Sequence, residues 1–174
     1  MVAAFRLLLF TGCRLGEILT LKWDYVDFQR GLLNLPDSKT GKKSVLLASP
    51  ALQILSDLPR LGPYVIAGQQ PDKPRADLQR PWRRLTAHAG LNGLRIHDLR
   101  HSFASVGAES GMGLLIVGKL LGHADQSTTA RYAHLGNDPL RRAAETVAGT
   151  IAAAIGATKP SANVGNDTPQ EPKT

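Results

Sequence analysis

Residues 97–135 read HDLRHSFASVGAESGMGLLIVGKLLGHADQSTTARYAHL, and this stretch decides how the chain folds. From His97 to Glu109 the apolar positions recur at helical spacing, and Gly111 and Gly113 end the run. Leu114–Leu121 follows as an apolar helix closed by Gly122. Asp125 or Ser127 is placed to cap a last short helix that delivers Tyr132. His97 and Arg100 stand three apart, so a helix points both to one face.

Working outward, residues 2–11 read as a helix stopped by Gly12, with a short second helix from Arg14 to Leu21. WDYVDF (23–28), GLLNLP (31–36) and SVLLAS (44–49) are β-rich runs. They are separated by Gln29-Arg30 and by the turn-type string DSKTGKK, which predicts a small antiparallel sheet with Lys39 at a hairpin tip. Ser49 is placed to cap a helix through Leu58, and residues 59–73 form a Pro- and Gly-punctuated loop. Ala76–Ala89 reads as a basic helix broken or kinked near Pro81. Leu140, Ala144, Val147, Ile151 and Ile155 trace one stripe of a C-terminal helix. The segment 158–174, polar and Pro-containing, reads as a disordered tail.

The chain has 174 residues, 43% hydrophobic and 20% charged, enough for one domain with its own core (residues 1–157) and short for two. Apolar runs such as LLLF and IAAAI are far too short to cross a bilayer. The opening MVAAFRLLLFTG lacks a cleavage-type site, and Phe5, Leu8 and Leu9 suit a buried helix face better than a leader. A single cysteine, Cys13, excludes an intramolecular disulfide and fits a reducing cytoplasm; beside Arg14 it reads as a small buried residue. The net charge of +7 favours a polyanionic partner. Between Lys73 and Arg95 stand Lys73, Arg75, Arg80, Arg83, Arg84 and Arg95 against one acid, Asp77.

Arg14, Lys39, His97, Arg100, His123 and Tyr132 carry the chemistry. A phosphate under attack spreads negative charge over its non-bridging oxygens, which guanidinium forks match in shape and sign. The leaving 5′-oxygen needs a proton, which a lysine can give. A phenol can attack and hold the strand covalently, and an imidazole can accept its proton. This set can cut a phosphodiester without a metal. Arg14 also stands three before Glu17, which reads as orienting it.

The strings TGCRLGEIL around Arg14, SKTGKK around Lys39, HDLRHSFAS around His97 and Arg100, and LLGHADQSTTARYAHL around His123 and Tyr132 resemble the tyrosine recombinase family (phage-type integrases) from about residue 5 to about 135. The resemblance implies an α+β, mostly helical catalytic domain, with helices around a small three-stranded antiparallel sheet. It implies Tyr132 as nucleophile, Lys39 as acid, His97 as base, His123 as phosphate donor, and Arg14 and Arg100 as the phosphate clamp. It implies double-stranded DNA as substrate, gripped through Lys42, Lys43, Arg80, Arg83, Arg84 and Arg95, and no cofactor. Type IB topoisomerases use a similar site; the compact spacing of HADQSTTARYAHL favours the recombinase. Thirteen residues before Arg14 leave no room for the family's separate clamp domain, so the expectation is an N-terminally truncated catalytic domain. It would be a monomer off DNA and a tetramer on DNA through the C-terminal helix.

Two other readings bear on the same residues. A DNA-binding remnant that no longer recombines would also be basic, though intact chemical residues argue against decay. HDLRH approaches the zinc-peptidase pattern His-Glu-x-x-His, but has Asp98 for the glutamate and Arg100 between the would-be ligands, where its charge opposes a dication. No carboxylate cluster suits two-metal chemistry, so no metal is implied.

Overall fold

The computed structural model describes residues 1–36, 41–70, 72–122 and 137–156, with the backbone alone described at 137–139. The predicted Lys39, His123 and Tyr132, the Asp125/Ser127 cap and the segment 158–174 lie outside those residues.

Seven helices are described: α1 (Val2–Thr11), α2 (Leu15–Leu19), α3 (Ser49–Asp57), α4 (Gln79–His88), α5 (Asp98–Glu109), α6 (Leu114–Leu121) and α7 (Asn137–Ala154). Three short strands, β1 (Val26–Asp27), β2 (Leu32–Leu35) and β3 (Lys43–Leu46), pair in the antiparallel order β1-β2-β3, with Leu33 opposite both Val26 and Val45. The mostly helical α+β class and its small sheet therefore stand as the sequence predicts.

Helix α1 lies at the centre. Ala4, Phe5, Leu7, Leu8 and Phe10 are all buried, more than one stripe of a helix can supply, because α3, α5 and α7 all pack on it. Gly12 ends α1 in the left-handed conformation (φ 62°), as its reading as a stop requires. That turn sends Cys13 into the core and brings Arg14 out at the start of α2.

Three local expectations are corrected. Ser49 is the first helical residue of α3, not its cap. Its N–H and hydroxyl both donate to Glu145 Oε1 on α7, at 2.9 and 3.0 Å, so a carboxylate 96 residues away covers this helix start. Helix α4 begins at Gln79, so Pro81 falls in its first turn, where the missing N–H has no intrahelical partner to lose and no kink follows. The stripe of α7 runs through Leu140, Ala144, Val147 and Ile151, all buried, but Ile155 lies past the helix end and is exposed. The buried stripe packs within its own chain, against α1, α3, α5 and α6.

Candidate DNA-cleavage site

Helix α5 carries two predicted residues at its start. His97 is its N-cap, exposed, with its ring edge-on to His101 at 4.9 Å between centroids. One turn on, Arg100 points inward and is only 6% exposed. Its guanidinium donates from Nη1 to the carbonyl of Gly12 and from Nη2 to that of Leu121, the latter at 2.8 Å. One side chain thus ties α5 to the α1–α2 turn and to the last residue of α6. Those carbonyls occupy two of five guanidinium N–H donors. Burial first, then the charge of Arg14, holds the Arg100 pKa below the ordinary guanidinium range.

Arg14 is the N-cap of α2 and half-buried. Glu17, three residues on, accepts its backbone N–H on Oε2 at 2.8 Å and its Nη1 on Oε1 at 3.1 Å. A third donor reaches the same carboxylate: Lys43 Nζ, from the first residue of β3, stands 2.8 Å from Oε2. Burial alone would raise the Glu17 pKa, but hydrogen bonds from Lys43 and Arg14 outweigh it and hold the carboxyl below 4.5. Behind this cluster the Cys13 thiol is buried, and burial pushes its pKa up, as suits a packing role rather than a nucleophile.

The structure thus ties the start of α5, which carries His97 and Arg100, to the α1–α2 turn that presents Arg14 and to the end of α6. His97 is held below the ordinary 6.5, chiefly by desolvation and then by the charges of His101, Arg100 and Arg95. Lys42 is exposed, whereas the Lys43 side chain is 10% exposed and committed to Glu17. Arg80, Arg83 and Arg84 are exposed on one side of α4, opposite the buried Trp82, whose indole donates to the Leu94 carbonyl at 2.7 Å. Arg95 is exposed but clasped by Asp98, with Nη2–Oδ1 at 2.9 Å. Hydrogen bonds from Arg95 hold the Asp98 carboxyl at about 2.

Sequence reasoning missed two partners. His101 is one, and its spacing of four from His97, which puts both on one helix face, is the signal that could have found it. The Lys43–Glu17 pair spans 26 residues, and no local pattern announces it. A groove of about 780 Å³ between α1, α3 and α7, lined by Arg6, Phe10, Ile54 and Glu145, holds none of the predicted site residues. Among the described residues no three His, Cys, Asp or Glu side chains gather as a metal site, and no helix is long and apolar enough to cross a membrane.

The model of the phage integrase family matches residues 2–138. The chain belongs to the phage integrase family. Among its relatives, the tyrosine recombinase XerA of Pyrococcus furiosus is 31% identical over 147 residues, covering 80% of this chain and 51% of that protein. The shufflon-specific DNA recombinase of Escherichia coli is 32% identical over 133 residues, covering 75% of this chain and 34% of that protein. The chain spans about half or less of the length of these relatives. Among solved structures, a XerA recombinase superposes with a TM-score of 0.56 at 28% identity, over 81% of this chain and 57% of that one. The integrase from mycobacterium phage Brujita shares the fold with a TM-score of 0.67 at 22% identity, over 83% of this chain and 50% of that one. The α5 start that gathers Arg100 and His97 and the α2 start that presents Arg14 both fall inside the family match.

Proposed function

We propose that this chain is the strand-cutting part of a site-specific DNA recombinase, acting through a 3′-phosphotyrosyl intermediate. One observation carries the reading: the Arg100 guanidinium ties the start of α5 to the α1–α2 turn that presents Arg14 and to the end of α6, within a chain of the phage integrase family. DNA as the substrate is supported by a XerH recombinase, 25% identical and of the same fold, solved bound to its difH substrate.

In the first step the Tyr132 oxygen attacks the scissile phosphorus and the P–O5′ bond breaks. The phenolic proton passes to neutral His97, and the leaving 5′-oxygen takes a proton from Lys39. Arg14, with Arg100 behind it, stabilises the charge that grows on the non-bridging oxygens, assisted by His123. A 5′-hydroxyl from a partner duplex then attacks the phosphotyrosine and releases Tyr132. Each ester bond broken is replaced by another, so exchange needs no ATP. Lys42, Arg80, Arg83 and Arg84 grip the DNA backbone, which positions the enzyme without reading sequence. The working unit is a tetramer on DNA, linked through the C-terminal helix, and a monomer off it, in the cytoplasm.

The test is a pool of nicked duplexes with randomised cores, in which the cut strand diffuses away and traps the adduct. A covalent product with the wild-type chain, lost in Tyr132→Phe, is expected. DNA retained without any adduct would instead identify a binding remnant that does not recombine.

A further inference from the structure

We propose that Lys43 is a positioning residue: its ammonium acts on the scissile phosphate through Glu17 and Arg14, and does not itself grip DNA. The inference rests on the strand-cutting reading given above.

A lysine at the foot of a basic hairpin is ordinarily a backbone contact, and the sequence reads it so. The structure turns it inward. Lys43 Nζ lies 2.8 Å from Glu17 Oε2, and the two side chains are 10% and 5% exposed. Gly122, left-handed at φ 69°, closes α6 against the Lys43 stem: a Cβ there would stand 3.1 Å from Lys43 Cδ. The stem is therefore packed on the α6 end, and swinging the ammonium out to DNA would strip a buried carboxylate of a partner.

The arithmetic of the carboxylate shows what the lysine does. Glu17 has two oxygens. Oε2 receives Lys43 and the Arg14 backbone N–H, which leaves Oε1 alone for the Arg14 side chain, through a single Nη1 contact at 3.1 Å. A carboxylate facing an arginine alone favours the bidentate fork, which consumes one edge of the guanidinium and neutralises it. Lys43 prevents that. It holds Oε2 away from the fork and leaves the Arg14, Glu17 and Lys43 cluster with a net charge of +1, so that Nη2 and Nε of Arg14 remain available for a phosphate oxygen. Without Lys43, Glu17 competes with the phosphate for Arg14.

Three variants separate this role from a DNA contact, with thermal melts confirming that each is folded. Lys43→Met is expected to slow covalent adduct formation at least tenfold. It is expected to leave unchanged the slope of log affinity against log salt for duplex DNA. Adding Glu17→Gln to Lys43→Met removes the competing charge and should restore a large part of the lost rate, so the double variant cuts faster than the single one. Lys43→Arg, which keeps the charge, should stay near wild type, and it carries the test if Lys43→Met does not fold. A slope lowered by about 0.9, the signature of one lost phosphate contact, overturns the proposal. So does a double variant no faster than Lys43→Met, or a Lys43→Met rate equal to wild type. Absence of any adduct from the wild-type chain would strike the strand-cutting reading instead, and the salt slope would still decide whether Lys43 touches DNA.

Discussion

Arg100 shows how much of a residue's work a local string conceals. HDLRH places it one turn from His97, and the structure puts both at the start of one helix, His97 exposed and Arg100 buried. What the string does not reveal is that its guanidinium joins Gly12, 88 residues earlier, to Leu121, 21 residues later, because contacts across the core follow packing rather than sequence neighbourhood. Arg100→Met should leave those carbonyls without their donors and cost about 1–3 kcal/mol of stability, measured as a shifted urea midpoint. It should also slow adduct formation by about 10²–10³, the usual loss for one oxyanion donor. His97 yields a second prediction. As a base it must be neutral, and desolvation first, then the charges of His101, Arg100 and Arg95, hold its pKa below 6.5, against a weaker opposing pull from Asp98. The cleavage rate should therefore rise with pH and level off before an ordinary histidine would allow. His101→Asn removes one repelling charge and lets the His97 pKa climb, so the midpoint of the rate profile should move to higher pH. A midpoint that stays put or falls would show that the edge-on contact carries no charge coupling.

At the scale of elements, the glycine stops were the most legible feature, because a helix end in the left-handed conformation selects glycine by sterics alone. Gly12 and Gly122 both end helices with positive φ. The misreadings at Ser49 and Pro81 share one cause. Sequence shows that a helix begins nearby, but the residue that starts it was settled by tertiary partners, Glu145 in one case and the buried Leu78 and Trp82 in the other. A pair of alanine substitutions tests this view of glycine. At Gly12 a Cβ would come within 2.8 Å of both Leu121 and Phe103, at φ 62°. The conformational cost is about 1–2 kcal/mol, and overpacking adds about 1–3 kcal/mol. Gly149 lies inside α7, with open space where its Cβ would go. Gly149→Ala should therefore stabilise the chain by about 0.5–1 kcal/mol. Urea denaturation of both variants reads the two signs, and destabilisation by Gly149→Ala would contradict the packing described for α7.

For the whole molecule the decisive quantity is where the +7 charge sits. The basic run from Lys73 to Arg95 and the lysines of the hairpin were visible in the sequence, but the division of these charges into usable and committed ones was not. Arg95 is clasped by Asp98 and Lys43 by Glu17, whereas Arg80, Arg83 and Arg84 stand exposed on one side of α4, which Trp82 anchors to the core through Leu94 and Phe5. Three phosphate contacts from that side would each contribute about 0.9 to the slope of log affinity against log salt. Replacing all three arginines by alanine should lower the slope by about 2.7 on the same basis. Affinity should fall alike for every duplex sequence, because backbone contacts carry no sequence information. Fluorescence anisotropy across a salt series measures both quantities. Because the substitutions lie away from Trp82, the melting temperature should hardly move. An unchanged slope would place the DNA on another side of the molecule, and a loss confined to particular sequences would mean that α4 reads bases rather than gripping the backbone.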